Sequence, residues 1–227
     1  MDSPNIEGEF LPIILIDLNK PWEKILDLGA PMSLPPQSLI SRREFPSKNG
    51  MYLMRRGLVK LSHTSLSGKE KTHFFIGRNT LFHETPMLYE ACHYSFTCME
   101  PTEIVFFKKK LITPDFVRQY PELILNMLES FSIKASMLYG NLCREHSFSV
   151  FTRVCRVLYS MHLYQQQSGN LAVPRLAKQE LAAFLGIHRG SLHKALSRLY
   201  DEGAIGAYRK KELPIHDAGA LLEYALG

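Results

Sequence analysis

Long apolar runs are missing from this 227-residue chain. The longest near the N-terminus, Phe10–Ile16, is interrupted by Pro12, whereas a membrane-spanning helix needs about 20 apolar residues. Asp2, Glu7 and Glu9 precede it, where a secretion signal would carry basic residues. Neither a membrane anchor nor a leader is expected, and the expected compartment is the cytoplasm. Cysteine is scarce: Cys92, Cys98, Cys143 and Cys155 form no C-x-x-C pair, so zinc or iron–sulfur ligation has no framework. Free thiols in a reducing compartment are the simpler expectation. No H-x-H pair occurs, although His63, His73, His83 and His93 recur every ten residues. That spacing keeps a metal or haem site only as a minor alternative. A glycine-rich phosphate loop, a catalytic triad and a paired-carboxylate signature are also missing, so no enzyme, metal or cofactor is expected. A cupin-type metalloenzyme would need clustered histidine and glutamate, and would leave the C-terminal third unexplained.

What is present is an ordinary folded composition, 45% apolar and 22% charged, unlike that of disordered chains. The net charge of +5 permits nucleic-acid binding, and its placement says more. Between Leu171 and Lys211 stand eight basic residues, Arg175, Lys178, Arg189, Lys194, Arg198, Arg209, Lys210 and Lys211. Only Glu180, Asp201 and Glu202 oppose them. A phosphate backbone would be drawn to this segment.

From about Leu39 to Lys110 short apolar runs alternate with turn residues. Met51–Met54 and Leu58–Leu61 flank Arg56-Gly57, Leu61–Leu66 and Lys71–Ile76 flank Ser67-Gly68, and Phe96–Met99 and Glu103–Phe107 flank Glu100-Pro101. Such spacing predicts a small β-barrel or roll. The texture changes at Thr113-Pro114. Pro121 suits the first position of a helix, and no further proline follows before about His146. Leu123, Met127, Phe131, Leu138 and Leu142 form one apolar row, and Ile124, Leu128, Ala135 and Tyr139 a neighbouring one. The near-heptad spacing predicts a helix-pair dimer seam.

Lys134 falls in phase with Met127 and Phe131. An ammonium on an apolar face is costly unless paired. It either snorkels to solvent at the rim of the seam or serves as counter-charge to an acidic ligand held between roll and helix. Phe82, Tyr94 and Phe131 would then supply apolar walls.

Val150–Tyr164 reads as another amphipathic helix, and Asp217 as the N-cap of a last one. Between them lies Ala177–Tyr200. Leu181, Phe184 and Leu185 predict the inward face of a first helix, and Gly186 its left-handed terminus. Leu192, Ala195, Leu196 and Leu199 predict the inward face of a second. Its first turn and outer face carry His188, Arg189, Gly190, Ser191, His193, Lys194, Ser197 and Arg198, with Lys178 nearby on the first helix. These are groups suited to base edges or phosphates. Ile205–Ile215 predicts a strand pair whose tip, Arg209-Lys210-Lys211, would lie along the DNA backbone. Double-stranded operator DNA is therefore the expected partner.

At these residues the chain resembles the CRP/FNR family of transcription regulators. Met51–Leu61 is similar to the family's strand–glycine–strand signature, and Lys178-Gln-Glu-Leu181 with Gly186 to its helix-turn-helix. Arg78–Phe82 and Met99–Thr102 resemble segments of a halorespiration regulator within it. The resemblance implies an α+β chain: an N-terminal β-roll (a cyclic-nucleotide-binding-like jelly roll), a long central dimerisation helix and a C-terminal winged helix-turn-helix. The expected boundaries are 1–113, 114–146 and 147–227. It also implies a homodimer on a two-fold operator, RNA polymerase as a partner and a small-molecule effector.

Departures from the family pattern sharpen the expectation. Members often read a base with an acidic residue where Gly190 stands. Cyclic-nucleotide binders use a Gly-Glu pair and an Arg-Ser pair, aligned here with His83-Glu84 and Cys92-His93. Without that arginine a cyclic phosphate loses its bidentate partner. Cyclic AMP is not expected. The related regulator also has a lysine aligned with Lys134 and responds to chlorinated phenolic acids, so an aromatic acid or phenolate is the expected effector. The expected sensor residues are Phe82, His83, Glu84, Cys92, His93, Tyr94, Met127, Phe131 and Lys134. A ligand-independent, redox-gated or haem-gated regulator is the alternative.

Overall fold

The computed structural model describes residues 13–40, 50–65, 70–85, 94–167, 176–208 and 214–227, without the side chains of 141–146 and 164–167. Contacts divide the chain into two compact units, Ile14–Ser136 and the remainder.

The first unit holds nine strands: β1 Ile14–Leu15, β2 Ala30–Leu34, β3 Leu39–Ile40, β4 Gly50–Arg56, β5 Val59–Thr64, β6 Glu70–Ile76, β7 Leu81–Phe82, β8 Ser95–Cys98 and β9 Thr102–Lys108. They form two sheets, β1-β6-β5-β8-β3 and β2-β9-β4-β7. Where the chain passes from β8 to β9 at Glu100-Pro101 it changes sheet rather than making a hairpin. Gly57 links β4 to β5 at φ +101°, and a Cβ there would stand 2.8 Å from the Pro101 carbonyl oxygen. Only glycine meets both demands.

Residues Met51 to Met54 are all fully buried, so this strand lacks the in–out alternation of a half-solvated sheet. Both its faces are covered. Tyr52 stacks on Phe82 at 5.1 Å, and Phe82 meets Phe96 of the other sheet at 5.3 Å. Met51 and Leu53 instead pack with Trp22, Ile25, Phe107, Phe116 and Leu123. Phe107 belongs to β9; the others come from a 3-10 helix, Lys20–Leu28, from helix α1, Pro114–Gln119, and from the start of helix α2, Pro121–Ser147.

The region before Leu39 departs from the sequence expectation, which placed no element there. β1, the 3-10 helix and β2 all precede it. Two-residue strands and a helix kinked at Ile25 are too short to print a periodicity. The Ser67-Gly68 turn lies outside the described residues, but the flanking β5 and β6 pair antiparallel as predicted.

The α2 helix begins at Pro121 as expected and carries two faces rather than one broad stripe. Leu123, Ser130, Lys134 and Met137 are buried, and Met127 is half-buried. Leu128, Phe131, Ala135 and Tyr139 are exposed. At about 100° per residue the two sets centre roughly a third of a turn apart.

The second unit contains helices α3 Val150–Gln167, α4 Lys178–Leu185, α5 Arg189–Asp201 and α6 Ala218–Leu226. The carboxylate of Asp217 caps α6 by accepting from the Ala220 amide at 2.9 Å. Among the described residues the predicted strand pair is a single bridge, Ile205 to Ile215. No described helix is long and apolar enough to cross a membrane.

Candidate nucleic-acid interface and sensor site

The α4–α5 pair is built from local chemistry. Leu181, Ala182, Phe184 and Leu185 bury one face of α4. Gly186 ends it in the left-handed conformation, φ +63°. The Ile187 amide turns back to the Ala182 carbonyl at 3.1 Å, the closure expected of such a terminus. His188 then caps α5, its Nδ1 accepting from the Gly190 amide at 3.2 Å. An accepting Nδ1 places the ring hydrogen on Nε2. Leu192, Ala195, Leu196 and Leu199 bury the inner face of α5.

His188, Arg189, Gly190, Ser191, His193 and Lys194 are exposed together on the first two turns of α5, and Ser197 is half-buried. Gly190 has no positive φ, and a Cβ there would meet only the His188 ring, at 3.3 Å. Backbone geometry therefore does not require glycine, which costs about 1 kcal/mol in a helix relative to alanine.

Arg198, expected on the DNA face, has another role in the structure. Its Nε donates to Glu202 at 2.8 Å, and its guanidinium lies 4.0 Å over the Phe151 ring and 5.6 Å from the Tyr224 ring. A planar cation is well suited to such stacking, and here it ties α5 to α3 and α6. Lys178 is exposed, with Nζ 5.8 Å from the Tyr208 ring. Burial pushes the Tyr208 hydroxyl up to about 12, so it stays protonated and donates to the Leu176 carbonyl at 2.7 Å. That bond moors the segment after the Ile205 bridge to Leu176, just ahead of α4. Arg209, Lys210 and Lys211 themselves lie outside the described residues.

In the first unit polar contacts converge on one residue of β7. The Leu81 amide donates to Asn19 Oδ1 at 2.9 Å, and the Leu81 carbonyl accepts from Lys134 Nζ at 2.7 Å. Ser130 Oγ also donates to Asn19 Oδ1 at 2.9 Å. Asn19 Nδ2 donates to Asn126 Oδ1 at 2.9 Å, and Asn126 Nδ2 to the Leu18 carbonyl at 2.9 Å. Both backbone groups of Leu81 are thus gripped from α2, one directly and one through Asn19.

Lys134 does not snorkel. It is 6% exposed, and its ammonium is also paired with the Glu84 carboxylate, itself 5% exposed. His83, between these anchors, is 5% exposed and adopts φ +70°, an uncommon and strained conformation for a residue with a side chain. Its Nδ1 stands 2.9 Å from the Gly50 carbonyl. Burial holds its pKa below the usual histidine value, against the opposing Gly50 bond and Glu84 charge. The neutral ring therefore donates through Nδ1, with Tyr52 and Phe96 packed at 5.5 and 5.6 Å.

The other expected sensor residues distribute unevenly. Phe82 is buried between Tyr52 and Phe96. Tyr94 meets His73 edge-on at 5.9 Å, and Met127 packs against the core beneath β4. Phe131 departs from expectation: it is 43% exposed, on the outer row of α2 rather than the row of Lys134. Cys92 and His93 lie outside the described residues. Asn19, Asn126 and Ser130 were not anticipated, because nothing local marks a polar residue whose partner lies over a hundred positions away. Among the described residues no three His, Cys, Asp or Glu side chains gather as metal ligands.

Comparison with known proteins identifies both domains. Residues 31–113 match the cyclic nucleotide-binding domain model, and residues 152–224 the Crp-like helix-turn-helix domain model. No curated protein matches the chain. Among solved structures, OCPA-complexed CprK superposes with a TM-score of 0.74 at 17% identity, covering 94% of this chain and 98% of that one. CprK is also known in complex with o-chlorophenolacetic acid. A CooA mutant from Carboxydothermus hydrogenoformans gives 0.73 at 15% identity, covering 93% and 100%. A CRP/FNR-family transcriptional regulator from Thermus thermophilus, TTHA1359, gives 0.68 at 19% identity, covering 87% and 99%. At these identities the structures speak for the fold, while the two domain models, in this order on one chain, speak for descent. The chain belongs to the CRP/FNR family of helix-turn-helix transcription regulators.

Proposed function

We propose that the protein is a cytoplasmic homodimer that binds a two-fold operator through α5 and is gated by a small aromatic acid or phenolate. Recruitment of RNA polymerase follows from the same assignment. The observation that carries the effector class is Lys134, a lysine buried on the inner face of the long helix. It stands where β7 brings Phe82 and His83, beside an aromatic cluster of Tyr52 and Phe96. A buried cation beside packed aromatic rings favours a flat ligand with one acidic oxygen. The solved complex of CprK with o-chlorophenolacetic acid points the same way. Cyclic AMP is disfavoured because the family's phosphate-binding arginine has no counterpart at Cys92-His93.

A redox-gated alternative gains no support from the two described cysteines. Cys98 and Cys155 are buried, and burial raises both thiols, Cys155 to about 12. Neither is a thiolate at neutral pH, and the thiolate is the reactive form.

Selecting genomic fragments with purified protein, with and without aromatic acids, tests the proposal. Identical affinity in every condition would remove the effector. With an operator in hand, Arg189→Ala is expected to weaken binding about 10- to 100-fold, since a bidentate arginine–base contact contributes about 1–3 kcal/mol. Binding to unrelated DNA should change little. Fluorescence anisotropy on both DNAs checks it, and an unchanged ratio would remove α5 as the reading helix.

A further inference from the structure

The ammonium of Lys134 has three N–H donors. Two are engaged, by the Glu84 carboxylate and by the Leu81 carbonyl. Lys134 and Glu84 are 6% and 5% exposed, and Leu81 is fully buried. The buried pair is neutral as it stands. An acid that entered beside it would place two carboxylates against one ammonium, a net negative charge away from water, which is strongly disfavoured.

We infer that Glu84 is a built-in stand-in for the effector: its carboxylate occupies Lys134 while the sensor is empty, and an acidic ligand binds by exchanging with it. The inference rests on the proposed effector class and adds the mechanism of gating. Exchange keeps one ammonium facing one carboxylate, so no uncompensated charge is created. No covalent bond changes.

The exchange has a mechanical consequence. Residue 84 is tied to α2 only through this ion pair among the described contacts, three residues after Leu81, whose carbonyl Lys134 also holds. His83 lies between them in a strained backbone conformation, restrained further by the Gly50 carbonyl. Strain of this kind persists only when its surroundings over-determine it. Replacing Glu84 by a free acid removes one restraint, so His83 can relax while Lys134 now holds the ligand. Occupancy is thereby converted into release of residues 83–84 from the long helix, while Leu81 stays held.

The test uses the full-length protein with phenylacetate and 4-hydroxybenzoate as acidic probes and phenylacetamide as the uncharged isostere. Calorimetry on the wild type, Glu84→Gln, Glu84→Asp and Lys134→Met reads the affinities. The acids should bind at least about tenfold tighter to Glu84→Gln than to the wild type. The amide should gain nothing, and Lys134→Met should abolish acid binding. Glu84→Asp, whose shorter carboxylate keeps the charge balance, secures the test if Glu84→Gln folds poorly; it should show a smaller gain in the same direction.

If the wild type binds the acids through Lys134 but neither Glu84 variant gains, or the amide gains equally, exchange is overturned while the effector class stands. If neither acid binds any variant, the effector class fails and exchange fails with it.

Discussion

Replacing Leu128 and Leu138 together with aspartate is expected to convert the proposed dimer to a monomer and to weaken operator binding at least about a hundredfold. The exposed row of α2 is the reason. Ile124, Leu128, Phe131, Ala135, Leu138 and Leu142 follow one another at intervals of four and three, the spacing that keeps one seam facing a partner helix. Leu128 is 55% exposed and Phe131 43%, values unusual for large apolar side chains on a helix that already buries another face. A second copy of the same row would cover them. Paired aspartates would face one another across the seam, where like charges and lost burial act in the same direction. A monomer reaches one half-site at a time and loses the effective concentration that joins two weak contacts into a strong one. Ile133→Asp is the control: it is 39% exposed but off this row, and should leave the dimer intact. Sedimentation equilibrium and operator titration read both outcomes. A double variant that stayed dimeric would move the seam elsewhere.

Two classes of feature separate in how well the sequence announces them. The helix-turn-helix is legible because its determinants are local. Gly186 supplies a left-handed terminus, the apolar residues of α4 and α5 repeat at helical spacing, and Asp217 caps the last helix, all within a few residues of their partners. The two-sheet roll is legible for the same reason, since its turns are written in Arg56-Gly57 and Glu100-Pro101. The sensor is legible only in part. Lys134 stands out through its phase on an apolar stripe, but the stripe is a superposition of two faces. Phe131 belongs to the outer one, three residues and about 60° around the helix from Lys134. Glu84 enters through an aligned pair, yet that it meets Lys134 across fifty positions is a tertiary fact. The Asn19–Asn126–Ser130 set is silent altogether, because asparagine and serine are ordinary at turns and helix surfaces.

Gly190 and Arg198 are instructive in opposite ways. At Gly190 φ does not demand glycine, and a Cβ would meet the His188 capping ring at 3.3 Å, so a larger residue there needs only that exposed ring to give. At Arg198 charge and position suggest DNA, but the guanidinium is engaged by Glu202, Phe151 and Tyr224. A basic residue late in a reading helix can equally be a brace for it, and only the neighbouring helices reveal which.

The segment that sequence reasoning passes over carries the largest expected effect on stability. Trp22, the only tryptophan, is fully buried on the 3-10 helix. Its ring meets Phe107 edge-on at 5.6 Å and Phe116 at 6.2 Å, joining the outer face of β4 and β9 to α1. Trp22→Ala is expected to cost about 3–5 kcal/mol, through lost burial and the cavity left among residues fixed by two sheet strands. For a chain of this size that lowers the midpoint of thermal unfolding by roughly 6–20 °C. The indole Nε1 adds a contrast, for among the described residues it is buried without a hydrogen-bond partner. Trp22→Phe keeps an aromatic ring between Phe107 and Phe116 and deletes an unsatisfied donor, whose burial costs about 1–3 kcal/mol. The two terms oppose, so the phenylalanine variant should lie within about 1.5 kcal/mol of the wild type. Circular dichroism at one fixed protein concentration measures all three, since dimerisation would otherwise shift the midpoint. Equal losses for alanine and phenylalanine would mean that the indole nitrogen, rather than the ring's volume, is what the core holds.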